Sequence, residues 1–258
     1  MAIPIGDINP TRRRGYINLL LIAINVFVFV FWQPWDGGFC EQNAFYVEWA
    51  AIPNEIIDGE PLTQNELDTT VDPRCGLDAM PDKSVMQPIL VAMFLHGGWG
   101  HLLGNMLFLL VFGDNVEDRL GHLRYLVFYL ATGIVATFVF AAVNAESTTT
   151  LVGASGAIAG VLGAYLVMYP TATVRVFILP FFLIPLPAVL VLGGWFVMQF
   201  YADSLAAQAG AGVAYLAHVA GFIAGMVGAL LLGQRPQRPQ HRRPYGVRRV
   251  RRRDWPEY

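Results

Sequence analysis

The stretch "LVGASGAIAGVLGAYLVMYP", Leu151–Pro170, contains no charged residue and a single serine. A run of this length and polarity crosses the roughly 30 Å hydrocarbon core of a bilayer as a helix. In lipid, the backbone amides must be paired within the segment itself. Five more runs share this character, and with Leu151–Tyr169 they are Tyr16–Trp32, Ile89–Phe112, Leu123–Val143, Pro187–Tyr201 and Gly210–Leu232. The whole chain agrees. Of 258 residues, 55% are hydrophobic and 14% charged, against about a quarter charged in an average soluble domain, and the mean hydropathy is +0.47. The expectation is an all-α polytopic membrane protein with six transmembrane helices. The stretch Val174–Leu186 is also apolar, but Pro180 and Pro185 break it, so it reads as an interfacial entry to the fifth run.

Charge distribution divides the chain into regions. Residues 1–15 carry Arg12, Arg13 and Arg14, and residues 234–258 are crowded with arginine. Positive charge near span ends marks the cytoplasmic side, and an even number of spans puts both termini there. The membrane domain then covers residues 16–233 and includes an outer loop, residues 33–88, whose acidic residues greatly outnumber Arg74 and Lys83. The first run lacks a small-x-small cleavage site, since Trp32 leads into "QPWDGG", so it is expected to stay as an anchor. The tail reads as a disordered, lipid-binding segment with no nucleic-acid role. Both cysteines, Cys40 and Cys75, fall in the outer loop. They are either a disulfide, which an exported loop favours, or two unpaired thiols.

Polar residues inside membrane runs are costly and ask for a partner or a purpose. The second run carries His96, His101 and Asn105, the fourth Ser155, and the sixth His218. Ser155 opens a stripe of small residues through Gly156, Ala159, Gly160 and Gly163, and the sixth run has a matching stripe through Ala217, Gly221 and Gly225. Such stripes let helix backbones approach closely. Ser155 is therefore either a packing residue or a nucleophile. In the second reading His218 is the base that takes its proton. His101 and Asn105, spaced i and i+4, share a helix face. With the free amides of a helix start, they could hold an oxyanion. With no carboxylate within the spans near His218, the pair would be a dyad rather than a triad. No metal-ligand spacing and no cofactor motif is present.

The segments "HGGWGHLLGN" (96–105), "GDNVEDRLGH" (113–122), "GASGAIAG" (153–160) and "AHVAGFIAG" (217–225) occur in that order. Together they resemble the rhomboid intramembrane serine proteases. The resemblance implies Ser155 as nucleophile, His218 as base, and His101 and Asn105 at the oxyanion site. Gly153, Gly156, Gly221 and Gly225 would be supporting glycines, and Glu117 and Arg119 a structural pair. It also implies a six-helix bundle with a hollow open to the outer face, and single-pass transmembrane proteins as substrates. Two departures stand out. Relatives often place an aromatic four residues after the nucleophile, where this chain has Ala159, and the first loop lacks the Trp–Arg pair of some relatives. The rival readings are a proteolytically silent client binder and a small-solute or proton pathway.

Overall fold

The computed structural model describes residues 2–178, 182–209 and 215–232. The basic tail and the head of the sixth run, residues 210–214, lie outside the described residues. Each of the six apolar runs carries a helix: α1 (Tyr16–Phe31), α6 (Trp99–Leu120), α7 (His122–Val143), α8 (Ser155–Met168), α9 (Ala188–Ala209) and α10 (Tyr215–Leu231). Four short helices, α2 (Phe39–Trp49), α3 (Pro53–Asp58), α4 (Gln64–Thr70) and α5 (Gln87–Val91), fill the segment between the first two.

Among the described residues, α7 alone is long and apolar enough by itself to cross a bilayer, with a mean hydropathy of 2.3. The second run passes only as two pieces, Gln87–Phe94 and Trp99–Leu120, joined at an 87° bend. The break lies at "LHGG", where Gly97 and Gly98 interrupt the helix as their sequence predicts. The helices α1, α8 and α10 are apolar but shorter, as is the segment Ala188–Gln199 of α9.

The fourth run is shortened at its head. Leu151 pairs as an isolated bridge with Ala51, and Gly153 holds φ +128°, a conformation that side chains with a Cβ avoid. The helix therefore starts at Ser155. The serine was expected about four residues into a helix, and it is instead the first helical residue.

The all-α expectation needs correction. The stretch Val174–Leu186, read from sequence as an interfacial entry to the fifth run, is strand where it is described, at residues 174–178 and 182–186. They belong to two strands, β2 (Thr173–Ile178) and β3 (Phe182–Pro187), which pair antiparallel, and the N-terminal strand β1 (Ala2–Asp7) pairs antiparallel with the other side of β2. The physical reason is a period of two. Val174 and Val176 are buried while Arg175 between them is exposed, which is the alternation of a half-buried strand. Pro185 and Pro187 are accommodated because β3 is an edge strand.

Helix α8 is buried almost all round, as an apolar helix without a polar face must be. Helices α6, α7, α9 and α10 surround it. The small-residue stripes expected from sequence form its contact with α10. A Cβ placed on Gly221 would lie 2.1 Å from the carbonyl oxygen of Gly156, and one on Gly225 would lie 1.9 Å from that of Gly160. Backbone thus packs directly on backbone.

The far ends of α1 and α6 are tied by carboxylates. Glu117 accepts from the amides of Ile17 (3.0 Å) and Asn18 (2.7 Å), and Asp118 accepts from those of Arg12 and Arg13. These are unpaired donors at and before the start of α1, where negative charge is favourable. His122 holds Glu117 through Nδ1 at 2.5 Å. Arg119 lies in the last turn of α6.

The loop between α1 and α5 has a small core of its own, formed by Val47, Ile52, Leu62, Leu67 and Val71. Cys40 and Cys75 are disulfide-bonded across it. Lys83 and Glu55 form an ion pair at 2.5 Å with both side chains almost fully buried. Glu55 also accepts from the amide of Leu62, and Lys83 donates to the carbonyl of Val47, so the buried charges are hydrogen-bonded as well as paired.

Candidate active site

Ser155, His101 and His218 all lie near the N-terminal ends of their helices α8, α6 and α10. This gathers them at one end of the bundle, as the even-numbered position of their runs predicts. They meet. Ser155 Oγ lies 2.7 Å from His218 Nε2. The other ring nitrogen, Nδ1, lies 2.7 Å from Oε1 of Gln199 on α9.

A cavity of about 270 Å³ opens on this pair. Its walls include His101, Asn105, Ser155, Trp195, Gln199 and His218, so all four sequence-nominated residues face one space. Asn105 is 9% exposed, and its amide nitrogen has no hydrogen-bond partner among the described residues. A buried donor without a partner costs about 1–3 kcal/mol, and such a group is usually explained by something that binds there. His101 accepts at Nδ1 from the amide of Gly97 (3.3 Å), which leaves Nε2 as the N–H. The Cε1–Nε2 edge of that ring lies against Gly153, where any Cβ would approach it to 2.8 Å. Gly153 is thus required twice, for its positive φ and for this contact.

The first turn of α8 has no capping side chain. The amides of Ser155 and Gly156 therefore lack intrahelical partners and point out of the helix end. Next to Ser155 is a small hollow of about 20 Å³, walled in part by Gly133, Ala136, Thr137, Gly156 and Ala217.

His96, left open by its sequence position, supports the site through its main chain. Its amide donates to Gln33 Oε1 (2.9 Å), and its carbonyl accepts from Gln33 Nε2 and from Tyr46 OH. Its ring, fully buried, packs edge-on against His101 at 5.1 Å and makes no hydrogen bond among the described residues.

Ala159 is fully buried in the core, and no aromatic reaches His218 from α8. Instead the imidazole lies beside Trp195 of α9 (6.1 Å between centroids) and edge-on to Tyr215 (6.0 Å). Neither Trp195 nor Gln199 is nominated by sequence reasoning. A signal exists in both cases. Gln199 is the one amide in the run Pro187–Tyr201, and Trp195 precedes it by four residues, on the same helix face.

Comparisons with known proteins bear on the family of the chain. A family model described as the Rhomboid domain matches residues 83–235, more than half of the chain. RHOMBOID-like protein 5 of Arabidopsis thaliana is 35% identical over 78 residues, which cover 30% of this chain and 25% of that protein. Rhomboid-like protein 11, chloroplastic, of the same plant is 31% identical over 160 residues, covering 57% and 52% respectively. The putative rhomboid protease YdcA of Bacillus subtilis (strain 168) is 36% identical over 80 residues, covering 31% and 40%. The matched part of the chain spans between a quarter and about half the length of these relatives.

Proposed function

The chain belongs to the membrane-embedded rhomboid family, and on that premise we propose that it is an intramembrane serine endopeptidase. The observation that carries this reading is the 2.7 Å contact between Ser155 Oγ and His218 Nε2 inside a cavity lined by unpaired donors. In this reading His218 takes the serine proton as Oγ attacks a peptide carbonyl. The negative charge that develops on the carbonyl oxygen is met by the Asn105 amide, the His101 Nε2–H and the free amides at the head of α8. His218 then passes the proton to the leaving amine, and water entering the cavity hydrolyses the acyl-enzyme. Glu117 and Arg119 hold the opposite end of the bundle, away from the chemistry.

The proposal extends to a substrate class. In this reading the helices of the six apolar runs embed the site in lipid, and the scissile bond belongs to another membrane-spanning chain, a single-pass protein. A helical peptide bond is shielded by its own hydrogen bonding, so the substrate must unwind locally, which helix-breaking residues favour. The hollow beside Ser155, about the size of one water molecule, suits a small side chain next to the cleaved bond. In this reading both termini are cytoplasmic, as the arginines near the two ends of the chain favour, and the cavity opens toward the outer face of the cell membrane.

The test is labelling of detergent-solubilised protein by a fluorophosphonate, which captures activated serines. Wild type should label, and Ser155→Ala and His218→Ala should not. A folded wild type that stays unlabelled would refute the hydrolase reading and favour a client-binding membrane protein.

A further inference from the structure

A lone imidazole is an ambiguous base. Neutral histidine carries its proton on either nitrogen, and only the form protonated at Nδ1 leaves Nε2 free to accept from a serine hydroxyl. In a Ser–His–Asp triad a buried carboxylate selects that form, and removing its acceptor character costs about 10⁴ in rate. Among the described residues no carboxylate touches His218. Its Nδ1 faces Gln199 Oε1 at 2.7 Å instead, while Nε2 faces Ser155 Oγ at the same distance. Gln199 is 7% exposed and sits on α9, not on either helix of the dyad. Its contact is therefore not a by-product of packing α8 on α10.

We propose that Gln199 is the positioning residue of the site. Its amide oxygen accepts from His218 Nδ1–H and so holds the imidazole in the tautomer able to take the Ser155 proton. The inference rests on the Ser155–His218 reading and deepens it. The choice of an amide over a carboxylate has a physical rationale. An ionised carboxylate at membrane depth costs several kcal/mol of desolvation when no cation pairs with it, whereas a glutamine supplies the same acceptor uncharged. The cost lies in the transition state, because an amide gives the forming imidazolium no charge–charge stabilisation. Trp195, one helical turn before Gln199, flanks the same ring. An aromatic that flanks the ring thus comes here from α9.

The experiment compares Gln199→Met and Gln199→Glu with wild type and Ser155→Ala, each checked for folding by its melting temperature. The readout is the fluorophosphonate labelling rate from pH 5 to 9. Met matches the size of Gln but offers Nδ1–H only a weak thioether acceptor, so its rate should fall about ten- to a hundredfold. Glu keeps the acceptor, so it should label substantially faster than Met. The acid limb of its profile should also move to higher pH, because a carboxylate beside the ring favours the imidazolium. A merely structural glutamine predicts the opposite order, with Met tolerated and Glu damaging, and that result would overturn the proposal. Histidine ¹⁵N spectra of wild type, with His218→Ala for assignment, test it without any change at position 199. His218 should show a protonated Nδ1 and an unprotonated Nε2, and the reverse pattern would also overturn it. Failure of wild type itself to label would instead count against the dyad.

Discussion

Replacing Gly221 by alanine tests whether the thin face between α8 and α10 sets the reactive distance. A Cβ at position 221 would lie 2.1 Å from the carbonyl oxygen of Gly156, while an ordinary carbon–oxygen contact is about 3.3 Å. The obstacle is backbone, which no rotamer change moves, so the helices must separate locally by about 1.2 Å. Gly156 adjoins Ser155, and Gly221 is three residues beyond His218 on the same helix. Most of that displacement is therefore passed to the 2.7 Å Oγ–Nε2 contact. It would open to nearly 4 Å, past the range in which a hydrogen bond survives. Loss of general-base assistance predicts a fluorophosphonate labelling rate lower by about 10²–10⁴. Overpacking costs about 1–3 kcal/mol, partly offset by the roughly 1 kcal/mol that alanine gains over glycine in a helix, so the variant should still fold. Gly193→Ala is the control, since a Cβ there meets nothing within 4 Å. A folded Gly221→Ala that labels within threefold of wild type would refute the claim that this contact sets the geometry of the site.

Three further predictions concern support of the bundle. Cys40→Ser should lower the stability of the outer segment by about 3–4 kcal/mol, since the lost bridge closes 35 residues; faster proteolytic nicking between α2 and α5 would register it, and unchanged nicking would contradict it. Glu117→Ala should lower the melting temperature through a loss of about 2–3 kcal/mol, because it strips the acceptor from two amides at the head of α1; labelling per folded molecule should stay near wild type. Asp7 has its pKa pushed up to about 6 by burial, with the Asp114 carboxylate adding to the shift. The folded state therefore holds this proton more tightly than the unfolded chain, so the attachment of β1 is firmest below the usual aspartate range and weakens as pH rises through about 6. Amide-exchange protection in β1, corrected for intrinsic rates, should be greater at pH 5 than at pH 8, and Asp7→Asn should abolish the difference.

Sequence made the apolar runs and the four site residues legible because membrane burial penalises polar atoms heavily. A serine, an asparagine and two histidines in such runs are conspicuous for that reason. The same logic extends to Gln199, yet glutamine carries no charge and no habitual catalytic role, so nothing in its type marks it beyond its setting. The exact start of α8 was not legible either. Gly153 and Leu151 belong to the apolar run by composition, and the pairing of Leu151 with Ala51, some hundred residues away, together with the bond from the Gly153 amide to the carbonyl of Ala92, takes them out of the helix. The sheet was hidden for a related reason. Six residues at the N-terminus carry no strand signal strong enough to stand alone, and β1 exists because β2 offers it an edge.

That sheet has a bearing on the site although it lies at the other end of the bundle. Asp7, the last residue of β1, accepts from Tyr165 OH on α8 (2.5 Å) and from the Asn115 amide on α6 (3.0 Å). Strand β3 runs without a break into α9 at Ala188, whose amide donates to the carbonyl of Ala172, just before β2. The helices that bring His101 and Asn105, Ser155, and Gln199 to the cavity are thus fastened to one another at their far ends through three strands and one carboxylate. A rigid helix transmits a change in its seating along its length, so the register of β2 on β3 contributes to where Oε1 of Gln199 stands relative to Nδ1 of His218. The α8–α10 contact fixes Ser155 to His218 by direct backbone packing. The base is oriented by a longer path, through the sheet and α9. The two halves of the site therefore respond to different perturbations. Crowding at Gly221 acts on the serine–histidine distance, whereas loosening β3, which leads into α9, acts on the seat of Gln199.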